Sequence, residues 1–111
     1  MKMIVAIVQP QQLPDIKEAL LAAGFDNLTC TNILGTVANQ HEEHKYRGAS
    51  QDITLFQKIR MEIGVNDDKV GDAIEALSSG AKVSGGSGMA FVTDLADCVE
   101  LGTGVHGESV L

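Results

Sequence analysis

The chain has 111 residues, which is enough for one domain with a single hydrophobic core. Fifteen Asp and Glu against eight Lys and Arg give a formal net charge of −7, so the sequence lacks the basic surface on which binding to nucleic acids or anionic membranes depends. No apolar run reaches the roughly 20 residues of a membrane span or has the form of a signal peptide, and two cysteines without metal-ligand spacing are typical of reduced thiols in a cytoplasmic protein.

The first 35 residues predict a strand, a helix and a second strand. The apolar run at residues 3–8 (MIVAIV) is typical of a strand buried on both faces. Pro14 suits the first turn of a helix, and Gly24 suits its C-terminal cap. The apolar stripe of this helix consists of Ile16, Ala19, Leu20 and Ala23. The segment 28–34 (LTCTNIL) then predicts a strand that ends at Gly35.

A long polar segment follows. Residues 36–53 show little apolar periodicity, and loops of this length in a small domain are usually functional or disordered. The tetrapeptide HEEH at residues 41–44 offers nitrogen and oxygen ligands for a metal ion. We favour the alternative, a solvated loop tip that contacts a partner, because no residues that would order such ligands are evident.

The second half repeats the order strand, helix, strand. The clearest period-two pattern in the chain is formed by Ile59, Met61, Ile63 and Val65. Asn66 then predicts the N-cap of a helix that ends at residues 78–80. The buried stripe of this helix consists of Val70, Ala73, Ile74 and Leu77. A glycine-rich loop at residues 80–88 leads into a fourth strand at residues 89–92, and the ambiguous residues 94–101 fit a helical turn followed by an edge strand.

This order predicts an α+β fold of the ferredoxin-like βαββαβ type, with an antiparallel four-stranded sheet and both helices on one face. The other face of the sheet would remain uncovered. Self-association is the simplest way for so small a domain to bury that face.

Several motifs resemble the PII signal-transduction family, and the resemblance extends over essentially the whole chain as a single PII-like domain. Residues 1–35 resemble the first strand, helix and second strand of the family. YRGAS at residues 46–50 matches a motif of its long T-loop, KIRMEIGV at residues 58–65 matches its third strand, and Thr103-Gly104 matches its C-terminal segment (residues 102–111). The resemblance implies a homotrimer with an adenine nucleotide in each cleft between subunits. It also implies that the T-loop, residues 36–53, binds a membrane transporter or a metabolic enzyme.

The resemblance assigns roles to individual positions, none of them catalytic and none as a metal ligand. The implied nucleotide-binding residues are Ile7, Thr29, Gly35, Thr36, Val37, Ala38, Lys58, Glu62, Gly64, Gly85, Gly86, Ser87 and Gly88. Asn39 and Lys58 would contact a second, small anionic effector. The implied partner-binding residues of the T-loop are His41, Glu42, Glu43, His44, Lys45, Tyr46, Arg47 and Gln51.

The chain departs from the family at several charged positions, which marks it as a divergent member. Met89 stands where the family usually has a lysine, and Glu100 and Gly102 stand where it has two arginines. A triphosphate carries about four negative charges, and each charge-assisted contact contributes roughly 1.5–3 kcal/mol. The loss of three cations therefore predicts that ADP or AMP is favoured over ATP. His106 is a candidate to replace the arginines.

Two further departures concern the second effector and the T-loop. Asn39 replaces the glutamine that helps to hold Mg²⁺ and 2-oxoglutarate in the family, so that Lys58 becomes available for a smaller anion such as bicarbonate. Gln51 replaces the tyrosine that is uridylylated in some members. The resemblance thus implies a regulatory protein of nitrogen or inorganic-carbon metabolism. The alternatives are a metal-responsive relative that uses the loop histidines and an acylphosphatase-like hydrolase on the same fold, although no nucleophile–base pair is visible.

Overall fold

The computed structural model describes residues 1–36 and 54–111. The regular elements, in chain order, are β1 (Lys2–Val8), α1 (Leu13–Ala22), β2 (Leu28–Gly35), β3 (Phe56–Val65), α2 (Val70–Val83) and β4 (Met89–Asp94). Short 3-10 turns precede the helices at Pro10–Gln12 and Asp67–Lys69, and a third lies at Glu108–Val110. No helix of these two ranges is long and apolar enough to span a bilayer.

The four strands form one sheet in the order β2-β3-β1-β4, and every neighbouring pair is antiparallel. Each half of the chain contributes one central strand and one edge strand, which confirms the predicted ferredoxin-like arrangement. The register places Ile4 between Ile63 and Val92 and places Ile7 between Arg60 and Met89.

The core lies between the sheet and the two helices. Because side chains alternate along a strand, one face of β1 and β3 supplies most of it, and α1 and α2 cover that face. The buried apolar residues are Ile4, Ala6, Val8, Ile16, Leu20, Ile59, Met61, Ile63, Val65, Ala73, Ala76 and Leu77. Full burial of one such large aliphatic side chain stabilises the fold by roughly 1.5–3 kcal/mol.

The opposite face of the sheet, here called the open face, carries no helix. Its residues are Met3, Val5, Ile7, Thr29, Thr31, Ile33, Gly35, Phe56, Lys58, Arg60, Glu62, Gly64, Met89, Phe91 and Thr93. Met89 and Phe91 are 62% and 50% exposed there. At one end Leu111 and Leu95 lie over Gly64, because a Cβ on Gly64 would be 3.3 and 3.7 Å from their δ carbons.

Helix α1 ends at the predicted cap. Gly24 has a φ of +94° and donates its N–H to the carbonyl of Leu21 at 3.0 Å, while Phe25 donates to the carbonyl of Leu20 at 2.8 Å. These two bonds form a Schellman motif. The prediction that Ala23 is buried is wrong, because Ala23 belongs to the cap, beyond the last helical turn, and is exposed.

Helix α2 differs from its prediction at both ends. Asn66 has the extended backbone of a cap but makes no capping hydrogen bond with its side chain, and α2 begins only at Val70, after a 3-10 turn. The Nδ2 of Asn66 instead donates to the carbonyl of Glu108 at 3.1 Å. The predicted stop at residues 78–80 is wrong as well, because the helix continues to Val83. The glycine-rich loop is therefore limited to residues 84–88 rather than 80–88.

Gly80 explains why a glycine lies inside α2. A Cβ at this position would be 2.5 Å from the Cα of Ile16 and 2.9 Å from the carbonyl oxygen of Asp15, both in the backbone of α1. The glycine therefore permits the close approach of the two helices and does not terminate α2.

The Gly80→Ala substitution should destabilise the fold by about 1–3 kcal/mol, because α1 and α2 would have to separate to admit the new methyl group. Gly71→Ala in the same helix is the matched control. A Cβ there meets nothing within 4 Å, and alanine should stabilise the helix by up to about 1 kcal/mol. Urea unfolding at one fixed protein concentration measures both effects. Equal stability of the two variants would contradict the tight helix contact.

Candidate functional site

The loop at residues 84–88 is held at its first end by the C-terminus of α2. Gly85 and Gly86 have φ values of +107° and +73°, and the N–H of Gly86 donates to the carbonyl of Ala81 at 2.8 Å. This is the 6→1 bond of a Schellman motif. The amide of Gly86 therefore caps the helix, so at most three of the four amides of Gly85–Gly88 remain for a ligand.

Side chains from the start of α1 hold the loop at both ends. The Oγ of Ser84 donates to the Oδ2 of Asp15 at 2.8 Å, and the Nε2 of Gln12 donates to the carbonyl of Ser87 at 2.7 Å. Gly88, with a φ of +124°, lies so near β1 that a Cβ would be 3.1 Å from the carbonyl oxygen of Ile7. These contacts make the loop an ordered turn with a defined backbone direction.

One group of predicted site residues meets this loop on the open face. Ile7 pairs with Met89, the residue that directly follows the loop. Lys58 lies against Gly35, since a Cβ on Gly35 would be 3.1 Å from the Cδ of Lys58. Thr36 follows Gly35 and is exposed. This end of the face thus combines backbone amides with Lys58 and with Arg60, which lies opposite Ile7.

A second group lies farther along the same face. Thr29 pairs with Glu62, and Gly64 lies two residues beyond, beneath Leu111. Six residues of extended strand separate Gly64 from Lys58, a distance of about 20 Å. A single chain therefore does not bring Gly64 to the glycine loop. Arg60 lies between the groups and forms an ion pair with Glu62 at 3.6 Å.

Residues 95–111, which follow β4, contain an isolated bridge between Val99 and His106. The Nδ1 of His106 lies 2.7 Å from the Oδ2 of Asp97, and the other oxygen of Asp97 accepts the N–H of Cys98 at 2.7 Å. Glu100 accepts the N–H of Gly102 at 3.1 Å. His106 is thus paired with a carboxylate, which offsets the charge that a protonated imidazole would offer to phosphate.

The described parts of the chain also contain a crevice on the opposite side of the glycine loop. It has a volume of about 140 Å³ and lies between α2, the loop and the helix-covered side of β1 and β4. Its lining includes Val8, Leu77, Ala81 and Ala90, with Lys82 at the helix end. Three of the predicted nucleotide-binding residues, Gly86, Ser87 and Gly88, also line it, whereas those on the strands of the open face do not.

The metal alternative and part of the predicted site fall on residues 37–53, outside the described ranges. The positions concerned are Val37, Ala38, Asn39, His41, Glu42, Glu43, His44, Lys45, Tyr46, Arg47 and Gln51. Within residues 1–36 and 54–111, no group of three or more His, Cys, Asp and Glu could hold a metal ion.

Sequence reasoning missed Gln12 and Asp15 as residues that shape the loop. Gln12 precedes Ile16 by four positions, and Leu20 follows Ile16 by four, so all three lie on one side of the helix axis. That spacing could have revealed an inward-facing glutamine. Nothing in the sequence pattern indicated that Leu111 lies over Gly64.

Comparison with known proteins gives consistent matches. The family model described as Nitrogen regulatory protein P-II matches residues 1–105. Nitrogen regulatory protein P-II 1 of Methanothermobacter thermautotrophicus is 32% identical over all of this chain and 97% of its own length. Nitrogen regulatory protein GlnK of Escherichia coli is 30% identical over the full length of both chains. Nitrogen regulatory protein P-II of Mesorhizobium japonicum is 35% identical over 96% of each chain.

The His106→Ala substitution should raise the pKa of Asp97. The hydrogen bond from His106, followed by that from the N–H of Cys98, holds this pKa below its ordinary value. Because the pKa is lowered by folding, the stabilisation is fully present above the unfolded value of about 3.9 and is lost as the pH falls through the folded value. A carboxyl ¹³C titration of Asp97 measures the change, with Val105→Ala as the control. An unchanged titration in His106→Ala would contradict the pairing.

Proposed function

Because the chain belongs to the P-II family of nitrogen regulatory proteins, we propose that it is a cytoplasmic regulatory trimer that binds an adenine nucleotide between its subunits. ADP or AMP is favoured over ATP. Residues 36–53 act as the T-loop and bind a membrane transporter or a metabolic enzyme. The observation that carries this proposal is the glycine loop, whose backbone is fixed at one end of the open face while Met89 occupies the position directly after it.

Two features of the open face support assembly. The open face carries apolar side chains, and neither helix of the described chain covers them. These residues include Val5, Ile7, Phe56 and Phe91. The predicted nucleotide-binding residues form two groups, one at the glycine loop and one at Thr29 and Glu62. A complete site then consists of the glycine-loop group of one subunit and the Thr29 and Glu62 group of its neighbour, so it requires more than one subunit.

The charges of the open face and of the segment after β4 support a ligand with few phosphates. Lys58 and Arg60 are the basic residues at this end of the open face, Arg60 is already paired with Glu62, and Met89 offers no charge. In residues 95–111, Glu100 and Asp97 are acidic, and His106 is already paired. Amides, Lys58 and a partly neutralised arginine suit one or two phosphates. Lys58 beside Gly35 also suits a small anion such as bicarbonate as second effector, which would connect the protein to inorganic-carbon as well as nitrogen metabolism.

Binding rather than catalysis suits the arrangement. The only imidazole within residues 1–36 and 54–111 is that of His106, which is exposed and bonded to Asp97. A nucleophile would have to lie within hydrogen-bond reach of such a base and be held by rigid elements. The regulatory names of the relatives agree with a binding role.

Titration calorimetry with AMP, ADP and ATP tests the proposed ligand. We expect ADP and AMP to bind more tightly than ATP, because the loop has too few donors for a third phosphate. ATP binding about tenfold or more tighter than ADP would overturn the preference. Sedimentation velocity on the same samples should give three subunits. A monomer that binds nucleotide would contradict a site between subunits.

The Met89→Lys substitution should raise the affinity for ATP about tenfold or more, because one charge-assisted contact contributes roughly 1.5–3 kcal/mol. AMP affinity should change little. Ala22→Lys is the control, since it adds the same charge to an exposed residue at the end of α1, on the helix-covered side of the sheet. If both variants bind ATP alike, the position after the loop does not face the phosphates.

A further inference from the structure

Gln12 is a completely buried polar residue in a core that is otherwise apolar across the described chain. It lies in the turn Pro10–Gln12, directly before α1. Its Oε1 accepts the N–H of Gln9 at 2.8 Å, and its Nε2 donates to the carbonyls of Ser87 at 2.7 Å and Ala81 at 3.4 Å. The side-chain amide thus connects the start of α1, the end of α2 and the glycine loop.

Burial of this amide is not explained by packing. A buried amide group is costly unless it is hydrogen-bonded, and an aliphatic side chain of similar volume would fill the space without that cost. Both ends of the Gln12 amide are bonded, and each bond goes to a backbone group. The glutamine is therefore matched to the backbone around it, chiefly to the orientation of the Ser87 carbonyl.

The bond to Ser87 fixes the direction of the next amide. In a planar trans peptide the C=O of one residue and the N–H of the following residue point in opposite directions. The Ser87 carbonyl points inward to Gln12, so the N–H of Gly88 points away from Gln12. Gly88 can occupy this position because it lacks a Cβ, which would be 3.1 Å from the Ile7 oxygen and 3.3 Å from Val8.

We infer that Gln12 is a positioning residue that orients the Ser87–Gly88 peptide so that the Gly88 amide donates to a phosphate of the bound nucleotide. This inference rests on the proposed function. Asp15 supports the same loop at its other end through Ser84. Because the amide of Gly86 is occupied by the cap of α2, the orientation of the remaining amides has a large effect on phosphate binding.

Replacement of Gln12 by Glu or Met tests the role. The ionised carboxylate that Gln12→Glu introduces cannot donate to Ser87, and the thioether that Gln12→Met introduces has no N–H. In both variants the Ser87 carbonyl loses its hydrogen bond to residue 12, so the Ser87–Gly88 peptide is no longer held in one orientation. The dissociation constant of ADP should then rise about tenfold or more, as expected for one lost charge-assisted bond. Adenosine, which has no phosphate, should bind each variant within about twofold of the wild-type chain. Gln11→Glu is the matched control, since it adds the same charge one residue away on an exposed side chain.

The pH dependence of Gln12→Glu provides a second measurement. Burial raises the pKa of a carboxyl group, and a protonated carboxyl can both donate to Ser87 and accept from Gln9. ADP affinity of this variant, relative to the wild-type chain at each pH, should recover as the pH falls from 8 to about 5. Gln12→Met should show no such recovery. If Gln12→Glu does not fold, Gln12→Met alone supplies the comparison of ADP with adenosine.

The outcomes separate this inference from the proposed function. If the wild-type chain binds neither ADP nor adenosine, the proposed function fails and the inference fails with it. If the wild-type chain binds ADP and the Gln12 variants bind it equally well, the inference alone is overturned. Equal losses of ADP and adenosine affinity also overturn it, because they would show that Gln12 maintains only the general packing of the site.

Discussion

The antiparallel register between β1 and β3 is the constraint on which the rest of the molecule depends. It places Ile4 opposite Ile63 and Val8 opposite Ile59 on the side that the helices cover. The same register places Ile7 opposite Arg60 on the other side. Because side chains alternate along a strand, a shift of one residue would exchange the two faces, exposing the core and burying the charged residues. The apolar core therefore also determines where the side chains of the candidate site lie.

Helix packing carries this constraint to the glycine loop. Gly80 lets α2 approach the backbone of α1 closely, which fixes where α2 ends at Val83. From that point the turn at Gly85 and Gly86 directs the chain back toward β1. Gln12 and Asp15, at the start of α1, then hold the loop through hydrogen bonds to Ser87 and Ser84. The position of the loop thus results from the same contact that holds the helices together. A change at the helix contact would therefore shift the candidate site, because the end of α2 and the start of α1 both hold the loop.

The elements that could be predicted from the sequence are those controlled by periodicity and local caps. The four strands, both helices and the cap at Gly24 follow from alternation, helical stripes and the steric freedom of glycine. The misplaced features depend on contacts between distant residues. The end of α2 was missed because Gly80 has the local appearance of a stop signal, whereas its role is set by α1. The cap at Asn66 was predicted from residue preference, but its side chain bonds to Glu108, 42 residues away.

The candidate site shows the same division, since the open-face positions of Ile7, Lys58 and Glu62 follow from strand alternation once the register is known. The hydrogen bond from Gln12 to Ser87 and the cover of Leu111 over Gly64 could not be deduced in this way, because each depends on how the chain packs after the elements have formed.

The cap of α2 and the missing cations have one common consequence for the proposed site. A backbone amide donates one hydrogen bond in a fixed direction, and Gly86 already uses its own on Ala81. The number of loop donors therefore cannot increase when a ligand brings another phosphate. Met89, directly after the loop, and Gly102 add no cation that could pair with that extra charge. Beyond about 8 Å, physiological salt largely screens the acidic net charge, so donors close to the ligand have the larger effect. Under the proposed function, such a site would distinguish nucleotides by the number of phosphates, because a further phosphate finds no additional backbone donor in the loop.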